Sequence, residues 1–251
     1  MMSSPAPLAI LFSGGSDSLA LYAMALSGHH RAIPKASSVH LVTLLNGMSR
    51  FPHFTENRFQ TARELLEKQQ PFPLPPSFRV ELDSGRLFQE LWLDRYETLM
   101  PRFGGKNLVC VACKLAMHTR TLLYCLEQNI PAMLAGYTLK QSFYPEQTPA
   151  FMDRMKAFSE DFGIKTAFPV YEDFSETTVS RHYLEDQGLP SSGGGERKCL
   201  FSQTRTTATE QETAAYLDAM IPLVSDYIRL RGKGDVAAAA RAFHAIDSTT
   251  D

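Results

Sequence analysis

Five short apolar runs, most of them followed by a stretch of helical spacing, set the rhythm of the chain. "LAILF" (8–12) reads as a buried strand and "DSLALYAMAL" (17–26) as an apolar helix. "SVHLVTLL" (38–45) is a second strand, nearly continuous in Val39, Leu41, Val42, Leu44 and Leu45. Residues 53–70 place Phe54, Phe59, Leu65 and Leu66 at helical spacing with charges on the other side, and the proline-rich "PFPLPP" ends that helix. "FRVEL" (78–82) predicts a third strand, followed by a helix over 85–100. A helix over 114–129 leads into a fourth strand, "PAMLAGY" (131–137). Another helix spans 150–163, a fifth strand 165–171, and a helix 176–188 that stops at Gly188. The stretch 209–232 predicts one helix, or two broken at Pro222.

Strands alternating with helices predict an α/β fold: a five-stranded, mostly parallel sheet with helices on both faces and a C-terminal helical extension. The expected division is an α/β domain over 1–188, then a cysteine-bearing loop and helical extension over 189–251. Composition changes this picture little. Of the 251 residues, 44% are hydrophobic and 21% charged, and the formal net charge of −2 gives no global pull toward nucleic acid or membrane. No apolar run approaches the ~20 residues that span a bilayer, and the N-terminus lacks the cationic region of a secretory leader. A cytoplasmic location is expected, without a membrane partner. The basic stretch "RLRGKGDVAAAARAF" reads as surface or as a homodimer contact.

The first strand-to-helix junction carries the candidate chemistry. Ser13-Gly14-Gly15-Ser16-Asp17-Ser18 is small and polar with one carboxylate. Glycines let the backbone approach an anion, and the start of a helix offers N–H groups and the positive end of its dipole. The stretch lacks the Gly-Lys-Ser/Thr of a Walker loop and the G-x-G-x-x-G of a dinucleotide fold. A plain tight turn with Ser16 as helix cap is the simpler alternative.

Ser13, Gly14, Gly15, Asp17 and Ser18 resemble, residue for residue, the SGGxDS signature of the PP-loop ATP pyrophosphatases. That resemblance implies an adenine-nucleotide α-hydrolase-like (HUP) fold and cleavage of ATP between its α and β phosphates, giving AMP and pyrophosphate. It makes Ser13 to Ser18 the expected nucleotide contacts, with Asp17 touching Mg²⁺ directly or through water.

Four cysteines in a chain of this length do not make a disulfide scaffold. Cys125 sits in the apolar "TLLYCLEQ" and reads as core. Cys110-x-x-Cys113 is expected just before a helix, and Cys199 lies in the glycine-rich "SSGGGERKCLFSQ". By residue type the three serve as ligands of zinc, with His118 a possible fourth, as ligands of an iron–sulfur cluster, as a redox pair, or as unliganded thiols.

Their order along the chain resembles the cluster-dependent tRNA thiolation enzymes of the PP-loop superfamily, in which a C-x-x-C and a late lone cysteine bind one [4Fe–4S] cluster. "CVACKLAMHTR" is also similar to the CxxCK stretch of the LarE-type sulfurtransferases, and "GLP…KCLFSQ" to their cysteine loop. The resemblance implies Cys110, Cys113 and Cys199 as cluster ligands, a sulfur donor, and a tRNA or small-molecule substrate. Asp17, Ser18 and Lys198 are the expected catalytic residues.

The chain departs from these families in places. "AGYTLKQS" keeps Gly136, an expected nucleotide contact, but lacks the His and paired Asp of a GHxxDD motif. The two arginines expected soon after C-x-x-C are replaced by Lys114 and Arg120, and no cysteines remain for zinc-finger appendages. "YPEQTPAFMDRMKAF" (144–158) resembles a segment of 7-cyano-7-deazaguanine synthase, a ligase that implies Zn²⁺ instead, although its C-terminal cysteine cluster is missing. A nucleotide-binding sensor is the non-enzymatic alternative. Arg181, His182 and Arg197 are further candidates for the phosphate site, and Gly193 to Gly195 for a lid.

Overall fold

The computed structural model describes residues 5–28, 30, 33, 36–48, 54–69, 73–103, 108–174, 178–191, 199 and 208–232. In chain order the elements are β1 (Ala6–Leu11), α1 (Ser16–Ser27), β2 (Ala36–Leu45), α2 (Phe54–Gln69), β3 (Ser77–Asp83), α3 (Gly85–Leu91), α4 (Tyr96–Arg102) and α5 (Val109–Glu127). Then follow β4 (Ala132–Ala135), α6 (Pro149–Glu160), β5 (Lys165–Ala167), α7 (Pro169–Glu172), α8 (Val179–Asp186) and α9 (Glu210–Gly232).

The five strands form one sheet in the order β3-β2-β1-β4-β5, and all four pairings are parallel. Side chains alternate between faces along each strand. Ala9, Val42, Leu44, Met133 and Ala135 face a core built with α3, α4, α5, α6 and α9. Leu8, Ile10, Val39, Leu41 and Leu134 face a second core built with α1, α2 and α8. Because both faces are covered, the central strands are apolar at nearly every position, which is the pattern expected of buried parallel strands.

Several element boundaries differ from the sequence expectations. Cys110 and Cys113 do not precede a helix but lie within the first turns of α5, since Val109, Val111 and Ala112 extend its buried face back past Lys114. The expected helix over 85–100 is interrupted at Trp92, where a 3-10 turn (Leu93–Arg95) separates α3 from α4. The fifth strand ends at Ala167, because Pro169 opens α7 with its fixed φ. Pro222 sits inside α9 without ending it. α9 is secured from the side: the buried Tyr216 hydroxyl donates to the Leu91 carbonyl at 2.9 Å, and Arg154 of α6 grips Asp218 through two bonds at 2.7 and 2.8 Å. Among the described residues one helix, α5, is long and apolar enough to cross a membrane; here it packs inside the first core.

The site follows from the strand order. After β1 the chain crosses through α1 to β2 on one side of it, while β4 lies on the other. The loops leaving the carboxyl ends of β1 and β4 therefore diverge, and a crevice opens between them, the usual ligand position in such sheets.

Candidate active site

A cavity of about 780 Å³ occupies that crevice. Its floor is the turn from β1 into α1. Gly14 has φ +78°, in the left-handed region that favours glycine, and Gly15 precedes the first residue of α1 without a side-chain cap. Ser16 is thus the first helical residue rather than the cap. The Ser13 hydroxyl accepts from the Gly15 N–H at 3.3 Å and lies 3.3 Å from the Ser18 hydroxyl, which donates to the Gly15 carbonyl at 3.1 Å. These bonds hold the turn open, with the start of α1 directed toward the cavity. Ser13, Gly15, Ser16, Asp17 and Ser18 all line it.

Gly136, just past β4, closes the other side, and its lack of a side chain is a packing requirement. A Cβ there would stand 2.9 Å from the Ser18 nitrogen and 3.0 Å from the Asp17 carbonyl carbon. The resemblance predicted Gly136 as a nucleotide contact. Its observed contacts are to the loop itself, and it also lines the cavity.

The opposite wall is the start of α5. Cys110, Cys113, Lys114 and Met117 recur at three- and four-residue spacing, so one helix face presents them all to the cavity. Cys199, 86 residues further on than Cys113 in the sequence, lines the same cavity. No disulfide joins the cysteines. Burial, then the negative charge of Glu146, then the neighbouring Cys113 and Cys199, push the Cys110 thiol up to about 12, against a small opposing effect of Lys114. Burial likewise raises Cys113, and the side-chain amide of Asn46, which donates to its Sγ at 3.2 Å, works the other way. The orientation of that amide is fixed by the Met48 N–H, which donates to Asn46 Oδ1 at 2.9 Å.

Three thiols that line one cavity, with burial keeping Cys110 and Cys113 protonated, are a donor set that a cation would stabilise in its thiolate form. The residues present therefore fit a sulfur-ligated metal group. Among the described residues, no three His, Cys, Asp or Glu side chains are drawn together as the ligands of a single ion. His118 does not join them. It is fully buried behind Tyr137, its Nε2 2.9 Å from the Tyr137 hydroxyl, with its ring among Tyr137, Phe151 and Phe168. Burial and then Lys114 lower its pKa to about 3, so it stays neutral. Lys114 Nζ lies 5.2 Å from the centre of the Tyr137 ring, a cation–π contact that fixes it beside the thiols.

Of the other sequence candidates, Arg181 lines the cavity, together with Thr178 and Ser180, and His182 does not. Lys198, Arg197 and Gly193 to Gly195 lie outside the described residues. The structure adds Asn46, and it brings Lys114 and Glu146, which fell inside the CxxCK and YPEQ resemblances without an assigned role, to the same cavity. It also joins the Ser13–Ser18 loop and α2 to the segment leading toward Cys199: the Ser16 hydroxyl donates to the Ser191 carbonyl at 2.6 Å, and Arg58 of α2 donates to the Pro190 carbonyl at 2.7 Å.

Comparison with solved structures returns the U34-tRNA thiolase NcsA from Methanococcus maripaludis with its [4Fe-4S] cluster, at 12% sequence identity and a TM-score of 0.45, covering 100% of this chain and 74% of that one. No protein-family profile matches the sequence, and no curated protein does. The site stands on its own residues and owes nothing to that likeness.

Proposed function

We propose that the cavity is the active centre of an ATP-dependent, AMP-forming sulfurtransferase of the PP-loop type. One observation carries the reading: the Ser13–Ser18 loop and the three cysteines, far apart in sequence, line a single cavity. Activation and sulfur delivery need adjacent sites, because an adenylated intermediate that diffused away would meet water first.

In this reading an acceptor oxygen attacks the α-phosphorus of ATP, and the bond to the bridging oxygen breaks to release pyrophosphate. The chain contributes position and charge: backbone N–H groups at the start of α1 would meet the phosphates, Asp17 would hold the Mg²⁺ that accompanies them, and Arg181 adds a cation. Lys198 is retained as a candidate for contact with the anionic substrate. An inorganic-sulfide-class donor then attacks the activated carbon. A C–S bond forms, the C–O bond breaks, and AMP departs with the electron pair, so the exchange involves no net oxidation.

Cys110, Cys113 and Cys199 would hold a [4Fe–4S] cluster, which supplies one iron without a protein thiolate for sulfur to occupy. The number of donors favours a cluster over zinc: structural zinc takes four N or S ligands, whereas His118, the fourth one weighed from sequence, is sealed behind Tyr137. A cytoplasmic setting, where thiols stay reduced, suits the chemistry.

The test is nucleotide analysis after anaerobic incubation of metal-reconstituted protein with ATP, Mg²⁺, sulfide and either bulk tRNA or a small-metabolite pool. Equal amounts of AMP and pyrophosphate, lost in Asp17→Ala, are expected. Release of ADP refutes the reading, and nucleotide binding without turnover would make the protein a sensor instead.

A further inference from the structure

Glu146 is the most exceptional polar group in the cavity. It sits in a 3-10 turn (Pro145–Gln147) between β4 and α6, where the surrounding hydrogen bonds leave it little freedom. Gln147 Oε1 accepts from the Thr138 N–H at 3.0 Å, and the Thr148 hydroxyl donates to the Pro145 carbonyl at 3.0 Å while capping α6. Glu146 is only 8% exposed, lines the cavity, and its Oε2 has no hydrogen-bond partner. A buried carboxylate oxygen without a donor is strongly disfavoured unless a cation arrives to meet it. Its neighbours make the position harder to explain without a ligand. Apart from burial, Glu146 exerts the largest electrostatic influence on Cys110, greater than that of Cys113 or Cys199, and it also acts on Cys113. Four acidic groups thus face one cavity, with Lys114 the cation that acts on Cys110, Cys113 and Glu146 alike.

We propose that Glu146 is the fourth protein donor to the metal group held by Cys110, Cys113 and Cys199, an oxygen ligand that caps the vertex lacking a thiolate until sulfur displaces it. The proposal rests on the sulfur-transfer reading above and extends it. His118, the fourth ligand weighed from sequence, is sealed behind Tyr137, whereas Glu146 has an oxygen to offer. The choice of oxygen has a consequence. Carboxylate is a harder donor than thiolate and the weakest match for a sulfur-loving metal, so it is the ligand that incoming sulfide replaces most easily. A fourth cysteine would hold the vertex shut.

Anaerobic reconstitution of wild type, Glu146→Gln, Glu146→Asp and Cys110→Ala with iron and sulfide tests this, read by iron and sulfide content and by electron paramagnetic resonance after mild oxidation. Wild type should take up a four-iron cluster. Glu146→Gln should take it up too but lose one iron to give a three-iron form about ten-fold faster or more, a change of the size seen when metal-site support is removed. Glu146→Asp should fall between them. The metal-free Glu146→Gln protein should unfold at or above the wild-type temperature, because the orphan carboxylate is gone; a merely structural role predicts the opposite. Equal rates of iron loss in wild type and Glu146→Gln overturn the proposal and leave the sulfur-transfer reading standing. Absence of iron uptake by wild type overturns both. A Glu146→Gln protein with no uptake at all, like Cys110→Ala, also overturns it, since a displaceable cap is not needed for assembly.

Discussion

Replacing Gly136 by alanine tests whether the end of β4 sets the position of the Ser13–Ser18 loop. The added methyl would lie 2.9 Å from the Ser18 nitrogen, 3.0 Å from the Asp17 carbonyl carbon and 3.1 Å from the Asp17 Cβ. Two of these atoms are backbone at the start of α1, so no side chain can swing aside. To reach ordinary contact at 3.4 Å, the helix start and β4 must separate by about half an ångström. Overpacking of this kind costs about 1–3 kcal/mol, and at roughly 2–4 °C per kcal/mol for a chain of this size the melting temperature should fall by about 2–12 °C. The same shift moves the N–H groups that would meet phosphate, and ATP affinity should weaken about ten-fold, equivalent to ~1.4 kcal/mol. Thermal unfolding and calorimetric titration with ATP and Mg²⁺ measure the two effects. Gly163→Ala is the control: its φ of +74° makes alanine strained, but nothing lies within 4 Å of the new methyl and the site is remote. It should lose about 1–2 kcal/mol of stability and no ATP affinity. Wild-type ATP affinity in Gly136→Ala, or an equal loss in Gly163→Ala, would refute the reasoning.

Ser16→Ala removes the 2.6 Å bond to the Ser191 carbonyl; Cys199 should then react faster with a maleimide, scored by mass spectrometry, at a stability cost of about 1 kcal/mol. An unchanged labelling rate would show that the bond does not restrain that segment. His118 predicts a pH dependence. Its folded-state pKa of about 3 lies below the usual 6.5, so its stabilising contribution is complete above about pH 6.5 and is lost as pH falls toward 3, where the unfolded chain takes up a proton that the folded one refuses. Each pH unit in that window is ~1.4 kcal/mol, and His118→Phe, which keeps a ring among Tyr137, Phe151 and Phe168, should flatten the urea-midpoint profile between pH 4 and 6.5; an unchanged slope would contradict the assignment.

Much of the fold was legible because parallel strands covered on both faces are apolar at most successive positions, as Leu8 to Phe12 are throughout and Val39 to Leu45 are except at His40 and Thr43. The junction after β1 was legible as a strand-to-helix turn, because two glycines and small hydroxyl residues break the apolar run there. Boundaries were less readable where tertiary packing overrode local pattern. The buried face of α5 runs back through Val109 and so takes in the cysteines, and α9 continues through Pro222 because packing against α6 and α3 holds it. Asn46 was not readable, since nothing in "LLNG" distinguishes it from a turn residue. Lys114 and Glu146 fall in stretches that carry family resemblances, "CVACK" and "YPEQTPAF", yet nothing in those stretches says that the two face one site; the order β2-β1-β4 and the turns after β4 bring all three to one cavity.

The most direct test of the central claim is the metal and sulfide content of the protein purified without oxygen, with Cys110→Ala, Cys113→Ala and Cys199→Ala beside it. The account predicts about four irons and four sulfides per chain, lost in each of the three variants and retained in Cys125→Ala, whose thiol lies in the core. One tightly held zinc per chain with no iron, or iron retained after loss of Cys199, would contradict it.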